Sequence, residues 1–234
     1  MNDPHPDPLP KGEEKTIVIT CSTGVLGNLT AKTFAERGHN LALLNRDRDK
    51  LDSLTRDLNL PADRLYIQGI DLLDENALHD SARRISSKFG NIHALIHLVG
   101  GWVGGKTIPE SEGSDLEFML NQHIWTTFNL LKSFTPYLVK SKWSRVIVVS
   151  QPVTIKPSAK SAVYAAAKSA QESLVLTLAE EYKDSGLTAN VIHVKSIDIK
   201  GESKGTSPTE IVAAMTYLFS DEANKVNGAR IPLY

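Results

Sequence analysis

The strongest constraint on the fold is a regular alternation of short apolar runs with longer helical segments along the chain. Seven runs rich in Val, Ile and Leu have the length of strands: residues 15–20, 40–45, 65–70, 92–99, 144–150, 187–194 and 229–233. Helices are predicted between them, over residues 28–37, 46–58, 74–89, 115–140, 161–181 and 209–219. This order predicts an α/β fold with one doubly wound parallel sheet and helices on both faces.

The composition agrees with one domain. The chain has 234 residues, 41% hydrophobic and 23% charged, so residues 15–234 can bury a single core. Residues 1–14 contain four prolines and no apolar stretch. They are predicted to be a disordered N-terminal tail rather than a secretory signal.

Charge and cysteine content exclude several classes of protein. The net charge of -1 gives no basic surface for nucleic acid. No apolar run approaches the roughly 20 residues that span a membrane. A single cysteine, Cys21, excludes an intramolecular disulfide, and the seven histidines show no metal-ligand spacing, so no metal site is predicted. We therefore expect a soluble cytoplasmic protein.

The first strand runs into a turn of small residues that opens a helix. This strand–turn–helix unit is typical of a Rossmann-like dinucleotide fold, in which glycines let the backbone approach a pyrophosphate at the helix N-terminus. The predicted cofactor contacts here are Thr20, Ser22, Thr23, Gly24, Leu26 and Gly27. The alternative is a tight turn without a ligand.

Residues just past the second and third strands are predicted to meet the adenosine end of the cofactor. Asn45 ends the second strand, and Arg46 follows it where a cation would pair with a 2′-phosphate, which favours NADP(H) over NAD(H). Asp71 and Leu72 follow the third strand, beside the expected adenine. The alternatives are a solvated arginine and an aspartate that caps a loop or helix.

The fourth strand is followed by a loop, residues 100–105, in which four of the six residues are glycines. Such a loop can touch a flat ligand through its backbone, and Trp102 would lie at the edge of the site. A surface loop with a packed tryptophan is the alternative.

Tyr164 and Lys168 are four residues apart in an Ala-rich helix, so both side chains lie on one helix face. A nearby ammonium should lower the pKa of the Tyr164 phenol, which could then exchange a proton with a carbonyl or imine. A bare pair at this spacing is more often an ordinary helix surface, so the other motifs have to support it.

In this order the motifs of residues 15–231 resemble the short-chain dehydrogenase/reductase family. Thr20–Gly27 is similar to the family's glycine-rich turn, with Cys21 in place of its first Gly, and Leu98-Val99-Gly100 stands in place of Asn-Ala-Gly. The resemblance implies Tyr164, Lys168 and Asn121 as catalytic residues. Cofactor contacts implied at the nicotinamide end are Val99, Gly100, Gly101, Lys168 and Val194.

The family's catalytic Ser precedes the Tyr by thirteen residues, and in this chain that position holds Gln151. Ser150 could serve only with a loop one residue longer. Loss of the hydroxyl would remove a polarising donor, about 3 kcal/mol by analogy with oxyanion-hole donors. Gln151 is therefore a candidate for orienting the substrate, with Ser150 as the alternative.

Two strings, residues 100–105 and Ile124-Trp125-Thr126, are similar to those of the family's dihydropteridine reductases, which also lack the Ser. This similarity and the short segment 198–207 imply an open site for a small flat carbonyl, quinone or pterin-like substrate. Trp102 and Trp125 are candidates for its walls, with a place in the core as the alternative for Trp125. His97 and His123 are predicted to be structural.

Three functional hypotheses follow from the resemblance. The first is an NAD(P)H-dependent oxidoreductase with Tyr164 as its acid/base. The second is an ordinary carbonyl reductase that uses Ser150. The third is a degenerate, non-catalytic nucleotide-binding member that acts as a sensor or structural subunit. The family also implies a homodimer or homotetramer paired through the helices at 115–140 and 161–181.

Overall fold

A computed structural model describes residues 14–202 and 204–234 of the chain. Its strands are β1 Thr16–Thr20, β2 Asn40–Asn45, β3 Leu65–Gly69, β4 Ala94–His97, β5 Ser144–Ser150, β6 Leu187–His193 and β7 Arg230–Pro232. Its helices are α1 Val25–Glu36, α2 Arg48–Leu58, α3 Glu75–Phe89, α4 Gly113–Met119, α5 Thr126–Lys140, α6 Ala162–Glu181 and α7 Pro208–Leu218. The predicted tail lies outside the described residues except for Glu14.

All seven strands pair in parallel in the order β3-β2-β1-β4-β5-β6-β7. The predicted α/β class with a Rossmann-like sheet is therefore confirmed. The strand order reverses between β1 and β4. In open α/β sheets this reversal leaves a crevice at the carboxyl ends of the strands, where ligands bind.

Each face of the sheet has its own apolar core. On β1, Ile17 and Ile19 pack with α1, α2 and α7, whereas Val18 packs with α3, α5 and α6. This alternation follows from the two-residue period of a strand. Full burial of an aliphatic side chain contributes about 1.5–3 kcal/mol, so both layers of helices are held by many such contacts.

Some element boundaries differ from the prediction. Helix α1 begins at Val25 rather than at residue 28, because Gly24 is extended and forms its N-cap. Strand β4 ends at His97 rather than at residue 99. There the Leu98 N–H donates to the Thr20 hydroxyl at 3.2 Å and leaves the sheet ladder.

The predicted helix over residues 115–140 contains a break. Helices α4 and α5 are joined by a π-helical segment, Leu120–Trp125, so one extra residue is accommodated in that turn. Short π segments occur frequently at functional sites. Of the helices that the structure describes, none has the length and apolar character needed to cross a membrane.

Candidate active site

A cavity of about 190 Å³ lies at the carboxyl ends of β4, β5 and β6. It brings together predicted residues from five separate segments of the chain. Those that line it are Leu26, Val99, Gly100, Gly101, Ser150, Gln151, Tyr164, Lys168 and Val194. His123, Lys195 and Ser196 also line it. The cavity therefore joins the predicted nicotinamide contacts to the Tyr/Lys pair.

Tyr164 and Lys168 are both buried on α6, with 8% and 4% of their surface exposed. The Lys168 ammonium donates to the Val149 carbonyl at 3.0 Å and to Gln171 Oε1 at 2.9 Å. Burial lowers the pKa of Lys168 to about 8, against the opposing effect of Glu172. Burial raises the pKa of Tyr164 to about 12. The predicted lowering of the phenol pKa is thus wrong for the protein alone, because burial of the phenol disfavours its charged form.

Ser150 and Gln151 both line the cavity at the end of β5, but their side chains bond different partners. The Ser150 hydroxyl donates to Glu172 Oε1 at 2.6 Å, and both side chains are buried. The Gln151 amide instead donates to the Lys195 carbonyl at 2.7 Å, at the half-exposed rim of the cavity. The Ser150 hydroxyl is therefore held by a buried carboxylate, whereas the Gln151 amide lies at the rim of the cavity.

Glu172 on α6 accepts hydrogen bonds from side chains on three strands, β5, β6 and β7. Besides Ser150, it accepts from His193 Nε2 at 2.8 Å and from Arg230 Nε at 2.6 Å. Burial alone would raise the pKa of Glu172, but these hydrogen bonds outweigh it and hold the pKa at about 2. Sequence reasoning missed this carboxylate. Its four-residue spacing from Lys168 on α6 was the available signal.

The π-helical segment places His123, rather than Asn121, in the cavity. His123 is fully buried, its Nε2–H donates to the Gly101 carbonyl at 3.0 Å, and its ring lies edge-on to Tyr164 at 5.8 Å between centroids. Asn121 is half-buried and does not line the cavity. The prediction for Asn121 came from family spacing. No signal in the sequence distinguished His123 from Asn121 as the residue that reaches the cavity.

The turn between β1 and α1 has the features of a phosphate-binding turn. Adding a Cβ at Gly27 would bring it to 2.4 Å from the Cys21 carbonyl, so α1 packs directly against the turn. No side chain caps α1 at Gly24, and its first-turn N–H groups are available to an anion. The buried Ser22 hydroxyl has no partner among the described residues. These residues fit a dinucleotide. Cys21 adopts φ 54°, a conformation that favours the glycine it replaces.

The predicted adenosine contacts lie together at the ends of β2 and β3. Asn45 Nδ2 donates to the Thr23 hydroxyl, which ties β2 to the turn. Arg46 and Asp71 form an ion pair at 3.4 Å, with 70% and 48% of their side chains exposed. Leu72 is buried, and its carbonyl accepts from Asn129 at 3.2 Å. The Arg46 guanidinium can therefore leave the exposed Asp71 carboxylate and bind another anion in its place.

Neither of the two tryptophans predicted for the pocket, Trp102 and Trp125, lines the cavity. Trp102 is 64% exposed and its ring packs over Gly104, where an added Cβ would lie 2.7 Å from Cζ2. Trp125 is 51% exposed and packs edge-on against Phe128. Its predicted place in the pocket wall is therefore wrong, and it does not lie in the core either. Trp102 lies on the loop that continues from Gly101, next to the cavity.

Comparison with known proteins agrees with this geometry. The family model described as short chain dehydrogenase matches residues 15–206. The chain therefore belongs to the short-chain dehydrogenase family, whose members are oxidoreductases that use a nicotinamide cofactor.

Individual relatives are distant but match along nearly the whole chain. An uncharacterised oxidoreductase of Staphylococcus epidermidis is 23% identical over 223 residues, covering 92% of this chain and 95% of its own. A short-chain type dehydrogenase/reductase from Mycobacterium ulcerans superposes with a TM-score of 0.86 at 19% identity, covering 94% and 88%. A short-chain dehydrogenase from Escherichia coli CFT073, solved with NADPH, gives 0.83 at 23% identity, covering 93% and 95%. At these identities the structural matches establish the fold.

Proposed function

We propose that the chain is an NADP(H)-dependent reductase that transfers hydride to a small, flat C=O or C=N substrate, with Tyr164 as the proton donor. The observation that supports it best is one cavity lined by Tyr164, Lys168, Gly100 and Val194. It combines a buried acid with the backbone of a predicted nicotinamide site.

The roles of the side chains follow from their contacts. The backbone at Gly100 and Gly101 and the Val194 side chain would hold a nicotinamide, which would supply the hydride for the substrate carbon, with the C=O or C=N electron pair then on the heteroatom. Tyr164 donates its proton to that heteroatom. A phenol with a pKa of about 12 is protonated at neutral pH and can therefore donate a proton when the substrate is reduced. Lys168 stabilises the phenolate that forms.

The site offers its substrate fewer polarising donors than an ordinary carbonyl reductase. The Ser150 hydroxyl is bonded to Glu172 in the core, and the Gln151 amide N–H is bonded to Lys195. Tyr164 is then the main donor at the reacting heteroatom. Such a site suits electron-poor conjugated acceptors, such as quinones or pterin-like rings, that need little polarisation.

Preference for NADP(H) rests on Arg46. Its exposed guanidinium lies 3.4 Å from Asp71 at the ends of β2 and β3, where a 2′-phosphate would meet it. The solved structure of the related Escherichia coli dehydrogenase contains NADPH. A phosphate in place of the Asp71 carboxylate would give Arg46 a bidentate partner.

We further propose a cytoplasmic homodimer or homotetramer. The surface of α4, the π-helical segment and α5 exposes Phe118, Trp125 and Phe128 at 46%, 51% and 40%. Covering these rings in a subunit contact would remove apolar surface from water. Light scattering on the purified protein tests the assembly, and a monomer at micromolar concentration would contradict it.

The first experiment is a fluorescence titration with NADPH and with NADH, followed by turnover assays on a panel of quinones, dihydropterins and simple ketones. We expect tighter binding of NADPH and turnover of the conjugated acceptors. Cofactor binding without turnover of any acceptor, together with a co-purifying protein, would favour the non-catalytic alternative. Turnover of simple ketones alone would contradict the substrate class.

A further inference from the structure

Lys168 is hydrogen-bonded by a side chain that the proposed function does not use. Gln171 lies three residues further along α6, and 1% of its surface is exposed. The Lys168 ammonium donates to Gln171 Oε1 at 2.9 Å and to the Val149 carbonyl at 3.0 Å. Val149 and Lys168 line the cavity, but Gln171 does not. Gln171 therefore contacts the cation of the Tyr/Lys pair from outside the space for substrate and cofactor.

The Gln171 amide can face Lys168 in only one orientation. An ammonium donates hydrogen bonds and does not accept them, so the atom 2.9 Å from it must be the amide oxygen. The amide nitrogen then faces Thr127 on α5, whose hydroxyl oxygen accepts from it at 2.9 Å. The Thr127 side chain therefore fixes the end of the amide that Lys168 does not contact.

These hydrogen bonds form a chain from α5 through α6 to the end of β5. Thr127 binds Gln171, Gln171 binds Lys168, and Lys168 binds the Val149 carbonyl. Thr127, Gln171 and Lys168 have at most 4% of their surface exposed. Burial of a charge is costly unless the charge has good partners. Two fixed acceptors therefore hold the ammonium in one place and favour its charged form.

Gln171 stabilises the ammonium without cancelling its charge. An amide oxygen is a neutral acceptor, so the field of Lys168 still acts on Tyr164, four residues earlier on the same helix. A carboxylate in the same place would also favour the charged lysine, but it would offset that field. A neutral acceptor is thus the suitable partner for a lysine that has to stabilise a neighbouring phenolate.

The other titratable groups around Lys168 leave this role to Gln171. They are Tyr164 and Glu172 on α6, His123 on the π-helical segment and His97 on β4. Burial and then the Lys168 charge lower the pKa of both histidines to about 3, so both are neutral at physiological pH. Glu172 favours the charged lysine through its charge, whereas its carboxylate is bonded to groups on the strands.

We propose that Gln171 is a positioning residue, whose amide oxygen, oriented by Thr127, holds the Lys168 ammonium at the end of β5 and keeps it charged beside Tyr164. The proposal rests on the proposed function, in which Lys168 stabilises the phenolate, and adds the residue that fixes this cation. The hydrogen bonds themselves belong to the protein without ligand. Gln171 should therefore affect proton transfer and not substrate binding.

Substitutions at residues 171 and 127 separate positioning from packing. Q171M keeps a side chain of similar length and removes the acceptor. Q171E keeps an acceptor oxygen and adds a negative charge, and the Thr127 hydroxyl can turn to donate to it. T127V removes the hydroxyl that orients the amide, whereas T127S keeps a hydroxyl. A role in packing alone would leave the Lys168 pKa of Q171M equal to that of the wild type.

The decisive measurement is an NMR pH titration of cofactor-free protein labelled with ¹³C-lysine, with the Lys168 signal assigned by its absence in K168M. We expect the Lys168 pKa of Q171M to fall about one unit below that of the wild type, a tenfold change in proton affinity. In Q171E the pKa should rise. T127V should shift the pKa in the direction of Q171M, and T127S should keep the wild-type value. If Q171M does not fold, the pair T127V and T127S carries the same test.

The pH profile of turnover gives a second readout. The Lys168 pKa is about 8, so kcat should fall on the alkaline side near this pH as the lysine loses its proton. Q171M should move that limb about one pH unit lower, with KM for the substrate within about twofold of the wild type. Q171E should move the limb higher and lower the maximal kcat, because its carboxylate offsets the ammonium charge.

Equal Lys168 pKa values in the wild type, Q171M and Q171E would overturn the proposal, as would a fall of the pKa in Q171E. Failure of the proposed function is separately visible. Opposite pKa shifts in a protein that turns over no acceptor would refute the reductase and support the contact between Gln171 and Lys168. Turnover with the same pH profile in the wild type and Q171M would support the reductase and refute the role of Gln171.

Discussion

Glu172 Oε1 accepts a 2.6 Å hydrogen bond from the Ser150 hydroxyl, so this hydroxyl at the cavity lining is held by a buried carboxylate. We therefore expect Ser150→Ala to leave kcat/KM within about threefold of the wild type while lowering stability by about 1 kcal/mol. Gln151→Ala should have the opposite pattern, with a raised KM and unchanged stability. Steady-state kinetics and thermal unfolding of the two variants distinguish them, and a large loss of kcat in Ser150→Ala would restore the carbonyl-reductase alternative.

Removal of the Tyr164 hydroxyl tests the acid. Tyr164→Phe keeps the ring that packs with His123 and should lower kcat by about 10²- to 10⁴-fold. The dissociation constant for NADPH should change by less than about twofold, since the phenol acts on the substrate. Tyr137→Phe is the matched control, because Tyr137 is half-buried on α5 and does not line the cavity. Undiminished turnover in Tyr164→Phe would refute the proposed mechanism.

The exposed ion pair between Arg46 and Asp71 tests the cofactor preference. Arg46→Ala should weaken NADPH binding by about tenfold, as a charge-assisted hydrogen bond is lost, and leave NADH binding unchanged. Arg48→Ala, two residues further on, is the control because Arg48 pairs with Asp52 at 3.1 Å. Fluorescence titration measures both cofactors. Equal losses for NADPH and NADH would mean that Arg46 does not read the 2′-phosphate.

The buried Glu172 carboxylate should make stability depend on acid pH. Its pKa is about 2 in the folded protein against an ordinary value of 4.5, so its contribution is complete above about pH 5 and is lost as the pH falls towards 2. Glu172→Gln should lower the unfolding free energy at pH 7 by about 3 kcal/mol. Urea unfolding between pH 3 and pH 7 should show this difference shrinking as the pH falls. A difference that is constant with pH would contradict the assignment.

The alternation of strands and helices was predictable because burial on both faces leaves continuous apolar runs such as 15–20 and 92–99. Exact strand ends were less predictable, since they depend on single side-chain bonds such as that between Thr20 and Leu98. The burial of the Ser150 side chain could in principle have been predicted from the sequence. Ser150 continues the face of Val146 and Val148, which pack with α5 and α6.

The position of His123 was harder to predict. The resemblance to the family led to Asn121, and nothing in the local composition marks a turn that holds an extra residue. The raised pKa of Tyr164 could not be predicted from the sequence either. A four-residue spacing from Lys168 shows that two side chains share a face, but the depth of burial that raises the pKa of the phenol depends on packing by Met119 and Val153 from other segments.

The π-helical segment determines how the chain would respond to a one-residue deletion. A one-residue deletion within 120–125 would leave an uninterrupted α-helix, which is locally the more regular structure. Because the π-helical turn absorbs one extra residue, the helices on either side of the deletion would keep their faces, and only side chains inside the segment would change direction, by about 100°. His123 would then leave the cavity. Deletions here should therefore yield chains that still fold but have lost the imidazole beside Tyr164.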